Sequence, residues 1–526
     1  MHMDTADLNL DAVLVHVPRL LLRDPMIGPH ARVNFPAAGL LALAGELERR
    51  GRRCRIVHLG AEKLLDPRFL LADYVGASGA ALAAFSLHWH PQTHDTLEAA
   101  RQLKAARPRV QVVLGGYTAG RFAGEIVAEC PFVDAVVRGE GERPLAELLA
   151  AVQSGQSEWM DIPNLTWRDT GGVVRHNPIS YCADAAELDT ADFAALRFYR
   201  HPETVCRLQW LVPWDGSARL VQRLGRGQRD AVIHGVFAGR GCPGSCTWCG
   251  GSGPGVRRLT GRTVTARRNP ARVAESVARL RTDWGIERFY FCFDPDPARE
   301  GHTAALVAAL ERLRPAVRTD FEFFGLPSPE LCRLFRRALH HASRVILSPE
   351  TADESLRRIH RAYPFTNAEL EERLDLLNQL RAPTVLYFAL GLPGETAAGA
   401  LATRDYIRRL RRRFACIRSV HVFPIEMEPG APWFESPERY GVRLRRRNLG
   451  DFAAASAAAA PSLGYDTATL TEAEILRLHR RFFAPGGRWL PPVAMILRAL
   501  FRLATAGAGG TPVRWLRRHA PPTGRG

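Results

Sequence analysis

Three cysteines lie close together in the segment GRGCPGSCTWCGG, residues 239–251. Cys242, Cys246 and Cys249 have the spacing C-x3-C-x2-C, and the segment contains no histidine. A closed zinc site needs four ligands, a disulfide would leave one thiol over, and a C-x-x-C redox motif would not use Cys242. A [4Fe–4S] cluster held by three thiolates fits the pattern, because one iron then stays open to a substrate or cofactor. The glycines allow the backbone to wrap closely around such a cluster.

A second feature is the series of strand-like segments that must position these cysteines. The first of them, residues 231–237, directly precedes the motif. Five more follow, separated by helix-like stretches, at residues 288–293, 319–325, 344–349, 384–393 and 417–424. Six parallel strands with helices outside them predict a partial (β/α)6 barrel, whose catalytic face lies at the C-terminal ends of the strands.

The first 150 residues also alternate between strand-like and helix-like segments. The strand-like ones are residues 12–17, 54–59, 81–87, 110–116 and 134–142. This alternation predicts a doubly wound parallel sheet, a Rossmann-like fold. Ligands of such sheets bind at the carboxyl ends of the strands. Small and acidic residues of the chain fall there, namely Ser86, Gly115, Gly116, Gly139, Glu140, Gly141 and Glu142.

The pattern predicts an α/β protein of four parts. They are the Rossmann-like domain at residues 1–150, a connector of short strands at 151–235, the partial barrel at 236–442, and a helical C-terminal region with a mobile tail at 443–526.

Composition limits the classes of function. The chain is 46% hydrophobic and 24% charged, as expected of a globular protein, and has no unbroken apolar stretch long enough to cross a bilayer. The net charge of +17 comes almost entirely from arginines spread along the chain, with Lys63 and Lys104 the only lysines, so nucleic-acid binding is not predicted. The N-terminus has acidic residues where a signal peptide has basic ones, which predicts a cytoplasmic protein. The scattered cysteines do not form a disulfide framework.

The cysteine spacing resembles the C-x3-C-x-aromatic-C motif of the radical S-adenosylmethionine (SAM) superfamily, with Trp248 as the aromatic residue. In that superfamily the open iron chelates the amino and carboxylate groups of SAM, and an electron from the cluster cleaves the sulfonium to give a 5′-deoxyadenosyl radical. The resemblance implies that Cys242, Cys246 and Cys249 are the metal ligands and the catalytic centre. It also places Trp248 and Gly250 at the cofactor.

Three later segments resemble parts of the superfamily that contact SAM. Residues 348–363, SPETADESLRRIHRAY, are similar to the E-S-G pattern of the fourth strand, with Thr351 and Ala352 at the positions usually held by Ser and Gly. Residues 391–396, GLPGET, resemble the glycine-rich end of the fifth strand, and residues 428–442 resemble the segment that closes the sixth.

One departure concerns the second strand, where the GGE-type motif that often binds the SAM amino group is absent. The strand ends in FDPDP, which leaves Asp294 and Asp296 as candidates. The resemblance therefore implies SAM contacts from Asp294, Glu350, Gly391, Pro393 and Glu395.

The N-terminal segments FPAAGLLALAGELERRG, VVLGGYTAG and VVRGEGERPLAELL resemble the cobalamin-binding domain that precedes many radical SAM domains. The alternative is a plain α/β sheet with tight turns. The two resemblances cover most of residues 10–150 and 230–445. The N-terminal one implies that cobalamin is held by a group of residues that we name the cobalamin cradle: Ser86, Gly115, Gly116, Gly139, Glu140 and Gly141.

The D-x-H-x-x-G signature, whose histidine ligates cobalt from below in cobalamin-dependent mutases, is absent from the sequence. The resemblance therefore implies base-off cobalamin without a histidine ligand from the protein. Four histidines lie near the predicted binding face, His58, His88, His90 and His94, and packing or hydrogen bonding is the role expected of them.

Together the resemblances imply a cobalamin-dependent radical SAM methyltransferase acting on an unactivated carbon. Such a carbon has no acidic proton, so ordinary methylation by SAM, which needs a nucleophile, cannot reach it. The radical would remove a hydrogen atom, and the carbon radical would take a methyl group from methylcobalamin, which a second SAM restores. Both cofactors would face one cavity, with the protein supplying orientation and water exclusion.

Three other classes of function share some of these sequence features. Relatives of this architecture use the radical for rearrangement, ring contraction or ring closure, and the sequence does not separate these from methylation. A corrinoid sensor or RNA-binding protein with a structural cluster would leave the barrel-end motifs unexplained. A methylthiotransferase would carry further cysteines in the N-terminal domain, where only Cys54 and Cys130 occur, and a C-terminal β-barrel.

The predicted partners are a small-molecule substrate and an electron donor such as flavodoxin or ferredoxin. The arginine-rich composition suggests a substrate from bacterial secondary metabolism. Residues 492–504 are amphipathic and predict a packing helix, with weak contact to a membrane surface as the alternative. That alternative is compatible with a lipid or tetrapyrrole substrate.

Overall fold

The computed structural model describes residues 8–24, 28–207, 212–213, 233–292, 300–458 and 462–482. Two parallel sheets dominate this part of the chain. The strands are β1 (Ala12–His16), β2 (Arg19–Asp24), β3 (Gly28–Arg32), β4 (Cys54–His58), β5 (Leu82–Ser86), β6 (Gln111–Gly115), β7 (Ala135–Val137), β8 (Leu165–Arg168), β9 (Val174–His176), β10 (Val212–Pro213), β11 (Ile233–Val236), β12 (Gly239–Arg240), β13 (Ala266–Arg267), β14 (Arg288–Phe291), β15 (Arg318–Phe323), β16 (Arg344–Glu350), β17 (Thr384–Leu390), β18 (Ile417–Pro424), β19 (Val442–Leu444) and β20 (Tyr465–Thr467).

Helices connect most of these strands. The α-helices are α1 (Ala38–Arg49), α2 (Leu59–Leu65), α3 (Leu71–Ser78), α4 (Thr93–Ala106), α5 (Tyr117–Arg121), α6 (Ala123–Glu129), α7 (Glu142–Gln153), α8 (Ala185–Thr190), α9 (Pro202–Arg207), α10 (Gly253–Thr260), α11 (Pro270–Trp284), α12 (Glu300–Glu311), α13 (Pro329–Ala338), α14 (Glu354–His360), α15 (Asn367–Gln379), α16 (Ala397–Arg413), α17 (Pro432–Glu435), α18 (Leu449–Ala457) and α19 (Glu472–Phe482). Short 3₁₀ turns occur at His90–Gln92, Leu196–Phe198 and Pro437–Tyr440.

The first sheet has the strand order β4-β1-β5-β6-β7-β8-β9. The first five of these strands are parallel, and β8 and β9 extend the edge antiparallel. All five residues of β1 are buried, because helices cover both faces of the sheet. The chain order reverses between β1 and β5, where His16 lies beside Ser86, and this point opens a crevice at the carboxyl ends of the strands. The predicted doubly wound parallel sheet is confirmed.

The second sheet has six parallel strands in the order β11-β14-β15-β16-β17-β18. Each strand pairs with the next one in this series, and helices fill most of the connections, so the predicted partial (β/α)6 barrel is confirmed. Phe321 of β15 packs against Phe335 of α13 on the helix side. Glu322, the next residue, faces the opposite side and accepts hydrogen bonds from Tyr290 and Ser348. The inside of the barrel therefore carries polar side chains.

Smaller elements join the two sheets. The short antiparallel ribbon of β12 and β13 leads from β11 into the cysteine motif. Beyond the barrel, Phe452 of α18 packs against Phe122 of the N-terminal domain and against Phe434 of α17. In the described part of the chain, no helix is long and apolar enough to cross a membrane. The amphipathic segment 492–504 lies outside the described residues.

Candidate active site

A cavity of about 670 Å³ separates the carboxyl ends of the first sheet from the cysteine motif. Most of the residues that the sequence singles out line this one cavity. From the N-terminal domain they are Ser86, Gly115, Gly116, Gly139, Glu140 and Gly141, the whole cobalamin cradle. From the barrel side they are Cys242, Cys246, Trp248, Cys249 and Glu350.

The remaining candidates among the described residues do not line the cavity. Gly250 lies behind its wall, where its N–H donates to Glu428 at 2.7 Å and where an added Cβ would come within 2.7 Å of the Pro429 carbonyl oxygen. Gly391 and Glu395 bind each other, since the N–H of Gly391 donates to the Glu395 carboxylate at 2.7 Å. The carbonyl oxygen of Pro393 lies 2.8 Å from a nitrogen of His360. Asp294 lies outside the described residues.

The cysteine loop, residues 242–251, has backbone donors close to its sulfur atoms. Gly244 N–H donates to Cys242 Sγ and Ala362 N–H donates to Cys246 Sγ, each at 3.3 Å. Such hydrogen bonds favour the thiolate form. Burial, with a smaller contribution from Glu428, raises the pKa of Cys249 well above its usual range. A bound metal reverses this effect, because a coordinated thiol loses its proton.

The cysteine thiolates could in principle bind a single metal ion or an iron–sulfur cluster. Among the described residues, no group of three His, Cys, Asp or Glu side chains is placed to hold a metal ion in common. A mononuclear site requires such convergence. In an iron–sulfur cluster each thiolate binds a different iron, so the three sulfur atoms surround the cluster. Thiolates are the usual ligands of iron–sulfur clusters, so the chemistry of Cys242, Cys246 and Cys249 fits such a cluster.

Glu350 reaches the cavity through an unusual backbone conformation at the end of β16. The register shifts between Leu347 and Glu350, and Glu350 has a positive φ of 65°, which non-glycine residues rarely adopt. Its Oε1 lies 2.6 Å from Arg361 Nη1. Burial raises the pKa of Glu350 to about 7, although Arg361 acts in the opposite direction. The site thus holds a carboxylate on a strained stretch of backbone, and this carboxylate can change protonation near neutral pH.

Gly116 forms the base of the cobalamin cradle and begins α5. It has φ 105° and ψ 173°, a region that is essentially restricted to glycine. An added Cβ would lie 2.8 Å from the Leu87 carbonyl oxygen and from His88 Cα. Gly116 also lines the cavity, so it presents backbone without a side chain there, which suits the close approach of a ligand such as cobalamin.

The four candidate histidines differ in position. His88 lines the cavity and packs edge-on against Tyr117 with ring centroids 5.1 Å apart. His58 is buried behind the wall, where its Nε2 lies 2.9 Å from the Asn34 carbonyl oxygen. His90 packs against Phe452. Burial lowers the pKa of His88 to about 4 and that of His90 to about 3, so both rings are neutral. The backbone N–H of His94 donates to Ser456.

Glu140 lines the cavity, but its carboxylate already has protein partners. Oε2 accepts hydrogen bonds from Arg240 and from the Ala183 N–H, both at 2.9 Å, and Oε1 accepts one from Arg262 at 2.7 Å. These partners fix the orientation of the Glu140 carboxylate at the cavity wall.

Several residues of this region gave no signal in the sequence. Arg240 and Arg262 bind the cobalamin cradle, although isolated arginines in a chain of this composition carry no information. Glu322 lines the cavity at the end of the third barrel strand, and the alternation of that strand could have assigned it to the inner face. Arg361, directly after the end of α14, also lines the cavity, although the sequence analysis did not single it out.

Comparison with known proteins assigns a known domain to each of the two parts of the chain that line the cavity. The B12 binding domain matches residues 27–149, and the radical SAM superfamily matches residues 236–407. The chain is 29% identical over 203 residues to an uncharacterised methyltransferase of Pyrococcus horikoshii, covering 38% of this chain and 37% of that protein. It is 23% identical over 289 residues to the anaerobic magnesium-protoporphyrin IX monomethyl ester cyclase of Synechocystis sp., covering 52% of this chain and 48% of that protein. The chain thus spans less than half the length of these two relatives.

A solved structure shares the fold. The radical S-adenosylmethionine methyltransferase TsrM of Kitasatospora setae, determined with cobalamin and a [4Fe-4S] cluster bound, matches with a TM-score of 0.60. The match has 18% sequence identity and covers 85% of this chain and 81% of that one. The chain therefore combines a B12-binding domain with a radical SAM domain, and the predicted resemblance is confirmed. The cofactors of these domains are cobalamin, a [4Fe–4S] cluster and SAM.

Proposed function

We propose that this B12-binding, radical SAM protein is a methyltransferase that methylates an unactivated carbon of a small molecule. One observation carries the proposal: the cobalamin cradle and the three cysteines line a single cavity. When bound, the cluster and SAM supply a carbon-centred radical, and cobalamin supplies the methyl group. A substrate between them would meet both without leaving the protein.

The residues of the chain divide the work of binding. Cys242, Cys246 and Cys249 would hold the cluster, and Glu350 is the candidate on the cavity wall for a SAM contact. The glycines of the cobalamin cradle let the backbone approach a planar ligand closely. Apolar side chains fill much of the remaining wall and exclude water from reactive species, among them Leu40, Leu43, Val113, Leu114, Phe237 and Val256.

The name of one relative supports methyl transfer, since the Pyrococcus horikoshii protein is called a methyltransferase. The name of another supports a second candidate function, cyclisation without methyl transfer, since the Synechocystis protein is called a cyclase. The two candidates differ in their products from SAM. Methyl transfer from SAM leaves S-adenosylhomocysteine, whereas radical cleavage of SAM alone leaves 5′-deoxyadenosine and methionine.

Further partners belong to the same proposal. Reduction of the cluster needs a one-electron donor such as flavodoxin or ferredoxin, and a net charge of +17 favours encounter with an acidic carrier. We propose a cytoplasmic location for this reaction. Weak contact of residues 492–504 with a membrane surface is proposed only for the case of a lipid-like substrate.

The first experiment is anaerobic purification with cobalamin supplied, followed by assay of iron, sulfide and corrinoid. The wild type should hold one cluster and one corrinoid, and the Cys242→Ala/Cys246→Ala/Cys249→Ala variant should lose iron while keeping corrinoid. Iron without corrinoid would overturn the cobalamin-dependent proposal, and zinc in place of iron would overturn the radical mechanism. Mass spectrometry of SAM products then separates the two candidates. Both S-adenosylhomocysteine and 5′-deoxyadenosine indicate methyl transfer, and 5′-deoxyadenosine alone indicates cyclisation or rearrangement.

A further inference from the structure

A buried ion network connects the two sides of the cavity. Arg240 Nη1 lies 2.9 Å from Glu140 Oε2, and Arg240 Nη2 binds the carboxylate of Glu142. Arg262 Nη2 lies 2.6 Å from Glu140 Oε1. Each of these four side chains is at most 14% exposed. We name them the interdomain network.

The residues of the interdomain network are close in sequence to both groups of predicted cofactor-binding residues. Glu140 stands between Gly139 and Gly141 of the cobalamin cradle, and Arg240 stands two residues before Cys242. The two backbones are also in direct contact nearby, since a Cβ on Gly139 would lie 2.9 Å from Thr260 Cα at the end of α10. A shift of one side of the cavity relative to the other would therefore strain this network.

The physical chemistry of buried arginine favours an orienting role. Two carboxylates bind one planar guanidinium, which fixes angles as well as distance. A buried ion pair is weak evidence for stability, because the desolvation of the charges offsets much of their attraction. A second ion pair, Arg121–Glu435 at 2.7 Å, also links the N-terminal domain to the segment after the barrel. The two domains therefore keep a connection when the interdomain network is weakened.

We propose that Arg240, Glu140 and Glu142 are positioning residues that set the place of cobalamin relative to the iron–sulfur cluster. The inference rests on the proposed function, since it requires both cofactors. It assigns the two carboxylates of the RGEGE segment to the contact between domains, at the wall of the cavity that the intervening glycines also line. Radical transfer between two bound groups depends steeply on their separation, so a network that fixes this separation determines whether the cofactors act together.

The test uses three variants and one control in the holoprotein loaded with cobalamin and cluster. Arg240→Gln removes the cation, Glu142→Gln removes one carboxylate, and Arg240→Lys keeps the charge but not the planar fork. Glu62→Gln is the control, because Glu62 forms a similarly buried pair at 2.8 Å with Arg200, and neither residue lines the cavity. Iron and corrinoid contents are measured first, and the thermal midpoint of unfolding is recorded for each protein.

Electron paramagnetic resonance then reports the geometry directly. In samples reduced to contain paramagnetic cobalt(II) and the paramagnetic reduced cluster, the magnetic interaction between the two depends on the inverse cube of their distance. We expect the wild type and Glu62→Gln to show the same interaction. We expect Arg240→Gln and Glu142→Gln to lose it or to spread it over a broad distribution, with both cofactors retained, and Arg240→Lys to fall between.

The outcomes separate this inference from the proposed function. A wild-type interaction that persists in Arg240→Gln and Glu142→Gln overturns the positioning role and leaves the proposed function intact. A loss that appears equally in Glu62→Gln also overturns it, since general destabilisation would then be the cause. A wild type that holds iron but no corrinoid overturns the proposed function itself. If Arg240→Gln does not fold, Arg240→Lys and Glu142→Gln decide the matter by the same criterion.

Discussion

Thr247 and His360 are joined by two hydrogen bonds between the cysteine loop and the end of α14. Thr247 N–H donates to the His360 carbonyl oxygen at 2.9 Å, and Thr247 Oγ1 lies 2.8 Å from His360 Nδ1. The Nε2 atom of the same ring lies 2.8 Å from the Pro393 carbonyl oxygen. Because a carbonyl oxygen only accepts, Nε2 carries the proton and Nδ1 accepts from the threonine hydroxyl. Burial lowers the pKa of His360 and keeps the ring neutral.

The Thr247→Val substitution tests whether this bond holds the cysteine loop in place. It keeps the side-chain shape but leaves His360 Nδ1 buried without a donor, at a cost of about 1–3 kcal/mol. We expect faster loss of iron to a chelator from the reconstituted protein. Thr384→Val is the control, because the Thr384 hydroxyl at the start of β17 is also buried and donates to the Ala382 carbonyl oxygen at 3.0 Å. Equal rates of iron release from both variants would contradict the expectation.

The Gly116→Ala substitution tests the predicted cobalamin cradle. A methyl group there would collide with the Leu87 carbonyl oxygen and force the backbone out of a conformation reserved for glycine. We expect corrinoid content to fall well below one per chain while iron content is unchanged. Gly79→Ala serves as the control, since Gly79 also has a positive φ but has no atom within 4 Å of the added methyl group. Normal corrinoid binding by Gly116→Ala would argue against the cradle.

The strands of both sheets could be predicted from the sequence because their apolar runs are nearly continuous. Parallel strands covered on both faces lack an alternating pattern, and β1, with every residue buried, is an example. Turn residues marked their ends, so the order of strands and helices followed. The carboxyl ends of these strands then gave the cavity wall, including Ser86 and Cys242.

The partners of individual side chains could not be predicted in the same way. Arg240 and Glu140 are separated by 100 positions, and no local pattern relates them. An acidic residue between two glycines indicates a turn, and it does not show which domain the carboxylate will face. The positive φ of Glu350 likewise arises from a register shift between two strands, which depends on tertiary packing. The sequence thus predicted which strand ends carry many of the candidate residues, but it did not predict which side chains contact one another.

Glu395 predicts a pH dependence of stability. Burial raises its pKa from 4.5 to about 7, although the Gly391 N–H acts against this shift. The folded protein thus binds the proton more tightly than the unfolded chain does. The contribution of Glu395 to the free energy of unfolding should therefore be greatest below pH 4.5 and be lost, by about 3 kcal/mol, as the pH rises through 7. In Glu395→Gln this contribution disappears, because glutamine does not ionise and its oxygen can still accept from Gly391.

Chemical denaturation of the cofactor-free protein at several pH values between 4.5 and 8 measures this effect. The difference between wild type and Glu395→Gln is the relevant quantity, since the titration of Glu350 occurs in both proteins and cancels. We expect the variant to gain relative stability as the pH rises and the difference to level off above pH 7. Parallel curves for the two proteins would show that Glu395 ionises normally.

Arg361 and Glu350 form a buried ion pair, and removing one partner should destabilise the protein more than removing both. Their side chains are 5% and 14% exposed, so Arg361→Met leaves a carboxylate buried without its cation. We expect that variant to lose about 3–5 kcal/mol of stability. The double variant Arg361→Met/Glu350→Gln should recover much of the loss, because it leaves no buried charge. Additive losses in denaturation experiments would show that the pair is not coupled.

Glu350→Gln tests the candidate SAM contact itself. The strained backbone at Glu350 directs its carboxylate into the cavity beside the cysteine loop, a placement that a purely structural ion pair does not need. We expect weaker SAM binding to the cluster-loaded variant in calorimetry, by roughly tenfold for a lost charged hydrogen bond. Glu354→Gln is the matched control, since Glu354 does not line the cavity and its carboxylate accepts a hydrogen bond at 2.7 Å from the N–H of Asn367, the first residue of α15. If the two variants bind SAM with the same affinity, Glu350 acts only as the partner of Arg361.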